Sequence, residues 1–235
     1  MHYCPGCGHG LVHKLIAEVV DELDIRERTI GIAPVGCAVL AYFYFAFDVM
    51  EAAHGRTPAV ATGVKRCLKD RIVFCYQGDG DLAAIGMAET IHAANRGEKI
   101  AVVFVNNSVY GMTGGQMAPT TLPGQVTATT PCGRDPAAVG PPIRVCELLN
   151  TLDAPYYIER TALDGPAGVR RTRQALHTAF EAQTQDRGYC FVEILSPCPI
   201  YQRRTPVEAL KFVGQEMAAC FPVRLFRRDG AIVRD

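Results

Sequence analysis

Two short polar motifs each follow a strand-like apolar run, and this arrangement constrains the fold more than any other feature of the chain. The motif GDGD at 78–81 follows the run 71–76, and the Asn-Asn pair at 106–107 follows the run 100–105. The intervening residues 82–96 have a helical pattern, so the two runs form a strand–helix–strand unit with parallel strands. Because α/β sheets bind ligands at the carboxyl ends of their strands, we expect both motifs at one binding site.

The residue types in these motifs suit a diphosphate group and its metal ion. Glycines let the backbone approach a phosphate, and the N-terminus of the following helix offers free N–H groups to it. Asp79 and Asn107 carry hard oxygen ligands. Mg²⁺ commonly binds proteins through one or two carboxylates together with the phosphates of a ligand. The arrangement resembles the diphosphate half-site of thiamine diphosphate (TPP) enzymes.

The composition excludes several functional classes. The chain has 235 residues with 24 basic and 24 acidic side chains, so it has no basic footprint for nucleic acid or an acidic membrane. No apolar run reaches the ~20 residues that a membrane span needs. The start of the chain lacks the cationic and apolar regions of a signal peptide, so we expect a cytoplasmic protein. Disulfides are then not expected, and the ten cysteines need another role.

Strands and helices alternate along the chain. The predicted strands are 29–33, 71–76, 100–105, 156–160 and 190–195. The predicted helices are 11–23, 38–53, 59–67, 82–96, 143–150, 166–184 and 206–220. This alternation predicts an α/β fold with a mostly parallel sheet and helices on both faces. We expect residues 1–235 to form one domain with an N-terminal cysteine loop and a C-terminal helical tail. Residues 111–142 form a long loop, and its start at the second motif favours a functional role.

Four cysteines lie in loops rich in glycine and proline. They are Cys4, Cys7, Cys37 and Cys198. Four thiolates are the usual ligands of a [4Fe–4S] cluster, and they serve structural zinc equally well. A thioredoxin-like pair at Cys4 and Cys7 would have to follow a strand, for which three preceding residues leave no room. Cys132 is ambiguous. Packing roles are expected for Cys67, Cys75, Cys146, Cys190 and Cys220.

Taken together, six motifs indicate a family. They are CPGCGHG at 4–10, VGC at 35–37, HGRTPAVATGVK at 54–65, QGDGDLAAIG at 77–86, VNNSVYGMTGGQMAPTT at 105–121 and LSPCP at 195–199. The chain resembles the β subunits of 2-oxoacid:ferredoxin oxidoreductases over residues 2 to about 210. It is most similar to the 2-oxoisovalerate (branched-chain) type, and the 2-oxoglutarate type is close behind.

The resemblance implies roles for individual residues. It implies that a [4Fe–4S] cluster is bound by Cys4, Cys7, Cys37 and Cys198, and that Mg²⁺ is bound by Asp79, Asn107 and the Val109 carbonyl. The residues that it places at the TPP cofactor are Gly36, Cys37, Gly78, Asp79, Gly80, Asp81, Asn107, Tyr110, Gly111, Met112 and Thr113. Asp81 is expected to form hydrogen bonds rather than to bind metal. His54, Arg56 and Thr113 are catalytic candidates, with a structural role as the alternative for His54 and Arg56.

The family's activity follows from the same resemblance. It implies TPP-dependent oxidative decarboxylation of a 2-oxoacid to acyl-CoA and CO₂, with coenzyme A as co-substrate and electrons passing through the cluster to ferredoxin. Zinc has no redox chemistry and would not serve this reaction. The alternatives are a 2-oxoglutarate-specific subunit, a non-oxidative TPP-dependent decarboxylase subunit, or a zinc-stabilised binding subunit.

Other subunits are expected as partners. TPP enzymes activate the cofactor with a glutamate from a pyrimidine-binding domain, and no second α/β domain is evident in this sequence. A larger α subunit is therefore expected to supply it, and Glu89 is expected to be a surface or interface residue. The sequence also lacks the ferredoxin-type run C-x-x-C-x-x-C, so γ and ferredoxin-like δ subunits or a soluble ferredoxin would carry the electrons onward.

Overall fold

One mixed sheet carries the sequence motifs in the computed structural model, which describes residues 2–234. The strands are β1 (Thr29–Pro34), β2 (Asp48–Ala52), β3 (Ile72–Gly78), β4 (Ala101–Asn106), β5 (Val109–Tyr110), β6 (Gln116–Met117), β7 (Tyr157–Ala162), β8 (Cys190–Leu195), β9 (Leu225–Arg228) and β10 (Ala231–Ile232). The helices are α1 (His9–Glu22), α2 (Thr57–Cys67), α3 (Met87–Asn95), α4 (Pro136–Val139), α5 (Val145–Leu149), α6 (Pro166–Thr184), α7 (Pro199–Gln202), α8 (Pro206–Phe212) and α9 (Ala218–Cys220).

The order of strands in the sheet explains why the motifs meet. From one edge to the other the order is β10-β9-β7-β8-β4-β3-β1-β2. The strands from β7 to β2 are parallel, whereas β9 and β10 are antiparallel to their neighbours. The loops after β1, β3, β4 and β8 therefore leave four adjacent strands at the same edge. This is the edge at which α/β sheets bind ligands.

Two hydrophobic layers cover the faces of the sheet. Along β3, Phe74 and Tyr76 point to the layer that includes α1 and α6, whereas Val73 and Cys75 point to the layer beneath α2 and α3. Strands buried on both faces consist of nearly continuous apolar residues, as β4 does. The predicted α/β class with a mostly parallel sheet is thus confirmed. Within residues 2–234, no helix is both long enough and apolar enough to cross a membrane.

The helix predicted over 38–53 is wrong. Residues Cys37–Phe43 form a 3₁₀-helix, and Asp48–Ala52 form the edge strand β2, parallel to β1. Phe45 and Phe47 are half-buried and pack on the core, while the residues between and beside them are exposed. This alternation with a period of two is the pattern of a half-buried strand.

The helix predicted over 82–96 is interrupted near its start. Asp81–Ile85 form a π-helical turn, and α3 begins only after Gly86. A Cβ atom added to Gly86 would come within 2.8 Å of Gly55, so the chain is kept close to the loop that follows β2. Single π-helical turns often occur at functional sites. This one begins at the GDGD motif.

The predicted long loop is ordered by one buried arginine. Residues 111–142 contain β6 and the short helix α4. The Arg134 guanidinium donates hydrogen bonds to the carbonyls of Ala118, Pro119 and Thr121 and to those of Gly140 and Pro141. The five donors of a guanidinium can satisfy several carbonyls that have no partner in a strand or helix.

The C-terminal part differs from the expected helical tail. Residues 206–220 are helical, as predicted, with a π-helical turn at Val213–Met217 between α8 and α9. The strands β9 and β10 then return to the sheet beside β7. Cys75, Cys146 and Cys190 are fully buried, as packing residues should be, and Cys220 is half-buried, but Cys67 is exposed.

Candidate functional site

A pocket at the carboxyl edge of the sheet gathers the predicted cofactor residues. It is lined by His9, Val35, Gly36, Cys37, Ala38, His54, Gly78, Asp79, Gly80, Asp81, Asn107, Val109, Tyr110, Gly111, Met112 and Thr113. Every residue that the sequence predicted to contact the cofactor or Mg²⁺ is in this lining. Cβ atoms built on Gly36 and Gly78 would meet nothing within 4 Å, so both glycines border open space. The lining thus leaves room for a ligand against the backbone.

Asp79 is a buried carboxylate at the floor of the pocket. Its Oδ1 accepts a hydrogen bond from the Gly80 N–H at 2.9 Å, and its Oδ2 accepts one from the Thr120 hydroxyl at 2.8 Å. Burial raises the pKa of Asp79 to about 7, although these hydrogen bonds oppose the shift. None of the ion pairs within residues 2–234 involves Asp79. A buried carboxylate without a cationic partner is suited to a metal ion.

Asn107 lies in the loop that follows β4 and lines the same pocket as Asp79, and its Oδ1 accepts a hydrogen bond from the Val109 N–H at 3.3 Å. The loop turns through Ser108, whose φ of 65° is rare for a residue with a side chain. The Ser108 carbonyl accepts a hydrogen bond from the Thr121 hydroxyl at 2.6 Å, and the Ser108 N–H donates to Asn106 Oδ1 at 3.2 Å. The oxygens of Asp79, Asn107 and Val109 in the lining form a donor set that fits Mg²⁺.

Asp81 holds the neighbouring loops together, as its predicted hydrogen-bonding role requires. It accepts hydrogen bonds at 2.6 Å from the Gly55 N–H and from Gln77 Nε2. His54 Nδ1 lies 3.9 Å from Asp81 Oδ1, and the ring is half-exposed at the pocket. Burial raises the pKa of Asp81, with the hydrogen bonds and nearby positive groups opposing it. The carboxylate therefore fixes the loop after β2 beside the GDGD motif.

The other two catalytic candidates are Arg56 and Thr113. Arg56 is not in the pocket lining and forms an ion pair with Glu89, so it joins the loop after β2 to α3. Glu89 is thus a partly buried pairing residue rather than a free surface acid. Thr113 is in the lining but exposed, and its hydroxyl donates to Gln116 Oε1 at 2.7 Å. This bond closes the tip of the β5–β6 hairpin.

The four loop cysteines line a second cavity. Its walls are formed by His2, Tyr3, Cys4, Cys7, His9, Cys37, Leu40, Asn107, Gly111, Met112, Cys198, Pro199 and Tyr201. Cys132 is exposed elsewhere and does not line it. Among residues 2–234, no three His, Cys, Asp or Glu side chains converge closely enough to hold a single metal ion. The donor set around this cavity consists of soft sulfur ligands, which fit an iron–sulfur cluster.

Burial and backbone hydrogen bonds have opposite effects on the thiol pKa values of these cysteines. Burial raises the pKa of Cys7 to about 11 and that of Cys198 to about 12, and it also raises the pKa of Cys37. Hydrogen bonds from the backbone of His9, Tyr201 and Met112, one to each of these three cysteines, oppose the shift. Such raised pKa values do not suit a reactive thiol pair, whereas a bound metal centre would hold the thiolates.

The two cavities share a wall. His9, Cys37, Asn107, Gly111 and Met112 belong to both linings. A Cβ atom added to Gly111 would come within 3.2 Å of the Cys37 sulfur, so the hairpin after the second motif lies directly on this cysteine. A ligand in the first pocket and a cluster in the second would therefore be neighbours.

Sequence reasoning missed several residues of the site. His9, at the end of CPGCGHG, begins α1, lines both cavities and has its Nδ1 2.6 Å from the Tyr76 hydroxyl. Its place within the quoted motif was the available signal. Thr120 lies within the quoted motif at 105–121, which was its available signal, whereas Arg134 had none, because its partners are backbone carbonyls.

This fold and its pocket define a diphosphate-binding domain of a thiamine-dependent enzyme. Residues 35–194 match the family model described as thiamine pyrophosphate enzyme, C-terminal TPP binding domain. The ketoisovalerate oxidoreductase subunit VorA of Methanothermobacter thermautotrophicus is 58% identical over 98% of this chain and 48% of its own length. The 2-oxoglutarate synthase subunit KorB of Methanocaldococcus jannaschii is 33% identical over 91% of this chain and 77% of its own length.

The chain belongs to the family of TPP-binding subunits of 2-oxoacid oxidoreductases. It spans about half the length of the ketoisovalerate oxidoreductase relatives. The solved structure of 2-oxoglutarate:ferredoxin oxidoreductase from Magnetococcus marinus, with 2-oxoglutarate, coenzyme A and succinyl-CoA bound, has the same fold. It aligns with a TM-score of 0.79 at 24% identity, over 97% of this chain and 81% of that one.

Proposed function

We propose that the chain is the β subunit of a cytoplasmic 2-oxoacid:ferredoxin oxidoreductase that acts on branched-chain 2-oxoacids such as 2-oxoisovalerate. In the overall reaction, one 2-oxoacid, one coenzyme A and two oxidised ferredoxins give one acyl-CoA, one CO₂, two reduced ferredoxins and one proton. The carbon–carbon bond to the carboxylate breaks and a thioester bond forms. The two electrons leave one at a time.

The wall shared by the two cavities is the observation that carries this proposal. A non-oxidative decarboxylase would need the pocket around Asp79 but not four cysteines beside it. A zinc-stabilised binding subunit would need the cysteines but not the diphosphate pocket. An oxidative decarboxylation that passes single electrons to ferredoxin needs both, in contact, because those electrons leave the substrate carbon through the metal centre. The residues common to both linings provide that contact.

The proposed roles of the residues follow from their positions. When bound, TPP would supply the carbon nucleophile and a [4Fe–4S] cluster would accept single electrons. Asp79, Asn107 and the Val109 carbonyl would hold Mg²⁺, and the backbone at Gly78 and Gly80 would lie against the diphosphate. Asp81 orients the loop that carries His54 at the pocket mouth. Tyr110 and the hairpin after it would cover this side of the pocket.

The preference for a branched-chain substrate rests on the ketoisovalerate oxidoreductase relatives. Those relatives, like the 2-oxoglutarate synthase relatives, are named as subunits, which supports a multi-subunit complex. We propose that a larger α subunit supplies the activating glutamate. We further propose that γ and ferredoxin-like δ subunits complete the assembly.

The test uses the native complex, purified without oxygen. Its iron, sulfide and zinc content is measured first. Electron paramagnetic resonance (EPR) spectra are then recorded with TPP and coenzyme A after addition of 2-oxoisovalerate, 2-oxoglutarate or pyruvate. Because ferredoxin-like subunits would carry iron of their own, the proposal predicts about four more irons in this complex than in one assembled with Cys198→Ala. It also predicts a reduced-cluster or radical signal that is strongest with 2-oxoisovalerate. A stronger signal with 2-oxoglutarate would reassign the substrate, and an iron-free or zinc-loaded complex would refute the oxidative reaction.

A further inference from the structure

One side-chain amide joins the loops of the two cavities. Gln202 is the last residue of α7, the single turn that follows Cys198. Its Oε1 accepts a hydrogen bond from the Cys198 N–H at 3.0 Å, and its Nε2 donates to the Asn107 carbonyl at 3.1 Å. The same amide thus contacts the backbone of one proposed cluster ligand and the backbone of one proposed Mg²⁺ ligand.

The position of this amide is fixed by the surrounding backbone. The Gln202 N–H donates to the Cys198 carbonyl at 2.9 Å, and Arg203 ends the turn with a left-handed φ of 53°. The loops of Cys198 and Asn107 leave adjacent parallel strands, with Asn106 of β4 paired to Leu195 of β8. The amide therefore spans the two loops at a point where the sheet already holds them side by side.

We propose that Gln202 is a positioning residue that couples the cysteine site to the magnesium site. This inference rests on the proposed function, because it takes Cys198 and Asn107 as ligands. The side-chain amide offers an acceptor to one loop and a donor to the other. Displacement of the Cys198 loop therefore changes the hydrogen bond from Gln202 to the Asn107 loop, and displacement of the Asn107 loop changes the hydrogen bond to the Cys198 loop.

The proposed coupling predicts a measurable effect at each site: on the cluster potential at one and on Mg²⁺ affinity at the other. By binding the Cys198 N–H, Gln202 would keep that donor from the sulfurs of a bound cluster, while Tyr201 supplies a backbone hydrogen bond to the Cys198 thiol. Hydrogen bonds to sulfur are among the determinants of cluster potential. By binding the Asn107 carbonyl, Gln202 also fixes the backbone from which the metal-ligating side chain projects. Partners of this kind typically change metal affinity by 10–100-fold.

Two substitutions separate the two hydrogen bonds. Gln202→Met has a similar length but neither donor nor acceptor. Gln202→Glu keeps an acceptor for the Cys198 N–H, loses the donor to Asn107 and adds a negative charge. Gln174→Met, on the exposed side of α6, is the matched control. Each variant is purified within the full complex.

Two readouts are taken from each complex: the Mg²⁺ dissociation constant in a TPP-binding titration, and the cluster midpoint potential in an EPR-monitored redox titration. We expect Gln202→Met to weaken Mg²⁺ binding roughly tenfold and to raise the midpoint potential, because the freed N–H can turn to sulfur. Gln202→Glu should weaken Mg²⁺ binding similarly but lower the potential through its charge. Gln174→Met should match the wild type.

The outcomes distinguish this inference from the proposed function. A wild-type complex that lacks iron, or that binds TPP without Mg²⁺, would refute the proposed function and with it the coupling. A loaded wild-type complex in which Gln202→Met changes only one of the two readouts, or neither, would refute the coupling and leave the proposed function standing. A change in both, with the opposite potential shifts of the two variants, supports the coupling.

Discussion

The Tyr110 hydroxyl donates a hydrogen bond to the Gly80 carbonyl at 3.1 Å, and its ring lies directly on this glycine. A Cβ atom added to Gly80 would come within 2.1 Å of the ring. Gly80 has a φ of −65°, which any residue can adopt, so glycine is needed here for close approach and not for backbone freedom. The second motif thus closes over the first.

Gly80→Ala tests this contact. The added methyl group must displace Tyr110, and overpacking of this kind costs about 1–3 kcal/mol of stability. We expect weaker TPP binding and a lower free energy of unfolding, measured by TPP titration and by denaturant unfolding. In a Tyr110→Ala background the methyl group meets no ring, so Gly80→Ala should cost much less there. Additive effects of the two substitutions would contradict direct packing.

The sequence predicted the sheet and most of the pocket because both depend on local patterns. Buried runs such as Cys190–Leu195 and the long amphipathic helix Pro166–Thr184 were placed correctly. The motifs at 78–81 and 105–113 follow strands directly, so parallel pairing alone brings them together. The strand Asp48–Ala52 was missed because the alternation with a period of two is confined to residues 45–49, whereas the strand itself has two consecutive exposed residues, Met50 and Glu51.

What the sequence did not reveal depends on contacts between distant residues. Gln202 and Thr120 contact Asn107 and Asp79 only after the chain has folded. Gln202 belongs to no recognisable spacing, and the motif at 105–121 contains Thr120 without indicating its partner. The pairing of Arg56 with Glu89 likewise needs the loop after β2 to lie beside α3. Arg160 was not singled out either, because a lone charged residue in a strand gives no sign of its partners.

Asp79→Asn should abolish Mg²⁺-dependent TPP binding and leave the iron content unchanged. The substitution removes the charge on a proposed ligand that is buried and forms no ion pair within residues 2–234. We expect a loss of roughly a hundredfold or more in metal affinity, since even partners outside the ligand set contribute 10–100-fold. The measurement is a TPP titration at several Mg²⁺ concentrations. Asp70→Asn, an exposed carboxylate, is the control.

The same carboxylate predicts a pH dependence of metal binding. Burial raises the pKa of Asp79 to about 7, so the free protein holds a proton there below that pH. Mg²⁺ needs the ionised form and must displace this proton. Apparent Mg²⁺ affinity should therefore fall as the pH drops below 7. The test range is pH 5.5 to 8, which extends from roughly one and a half units below to one unit above the pKa of this carboxylate. A Mg²⁺ affinity that stays constant over this range would contradict the assignment of Asp79 as a metal ligand.

Arg160 should be a major determinant of stability. Its side chain is fully buried, and its Nε donates to Glu193 Oε2 at 2.8 Å, while Glu193 Oε1 accepts from Asn106 Nδ2 at 2.8 Å. Arg160→Met leaves the Glu193 carboxylate buried without its cation. Removing one partner of a buried pair costs about 3–5 kcal/mol. Denaturant unfolding measures this loss, and a cost below about 1 kcal/mol, typical of a surface pair, would contradict it.

Arg160 also makes stability depend on acid through Glu147. Burial favours a higher pKa for Glu147, but the hydrogen bonds and charge of Arg160 hold the pKa below its ordinary value. Glu147 therefore stabilises the fold above its unfolded pKa of about 4.3, and this contribution is lost as the pH falls through the lower folded value. Glu147→Gln should lower the unfolding free energy at pH 7 and reduce its decrease below pH 4. An unchanged acid dependence would contradict this role.

Cys198→Ala should remove the cluster and spare the cofactor pocket. Cys198 lines the cysteine cavity but is absent from the pocket around Asp79, so its loss leaves the proposed Mg²⁺ ligands in place. We expect a lost or degraded cluster signal in the EPR spectrum, with TPP still bound at saturating Mg²⁺, because the Cys198 backbone N–H that donates to Gln202 remains. Cys132→Ala is the matched control and should keep both, because Cys132 is exposed and outside the cavity. An intact cluster in Cys198→Ala that is lost in Cys132→Ala would make Cys132 the fourth ligand instead.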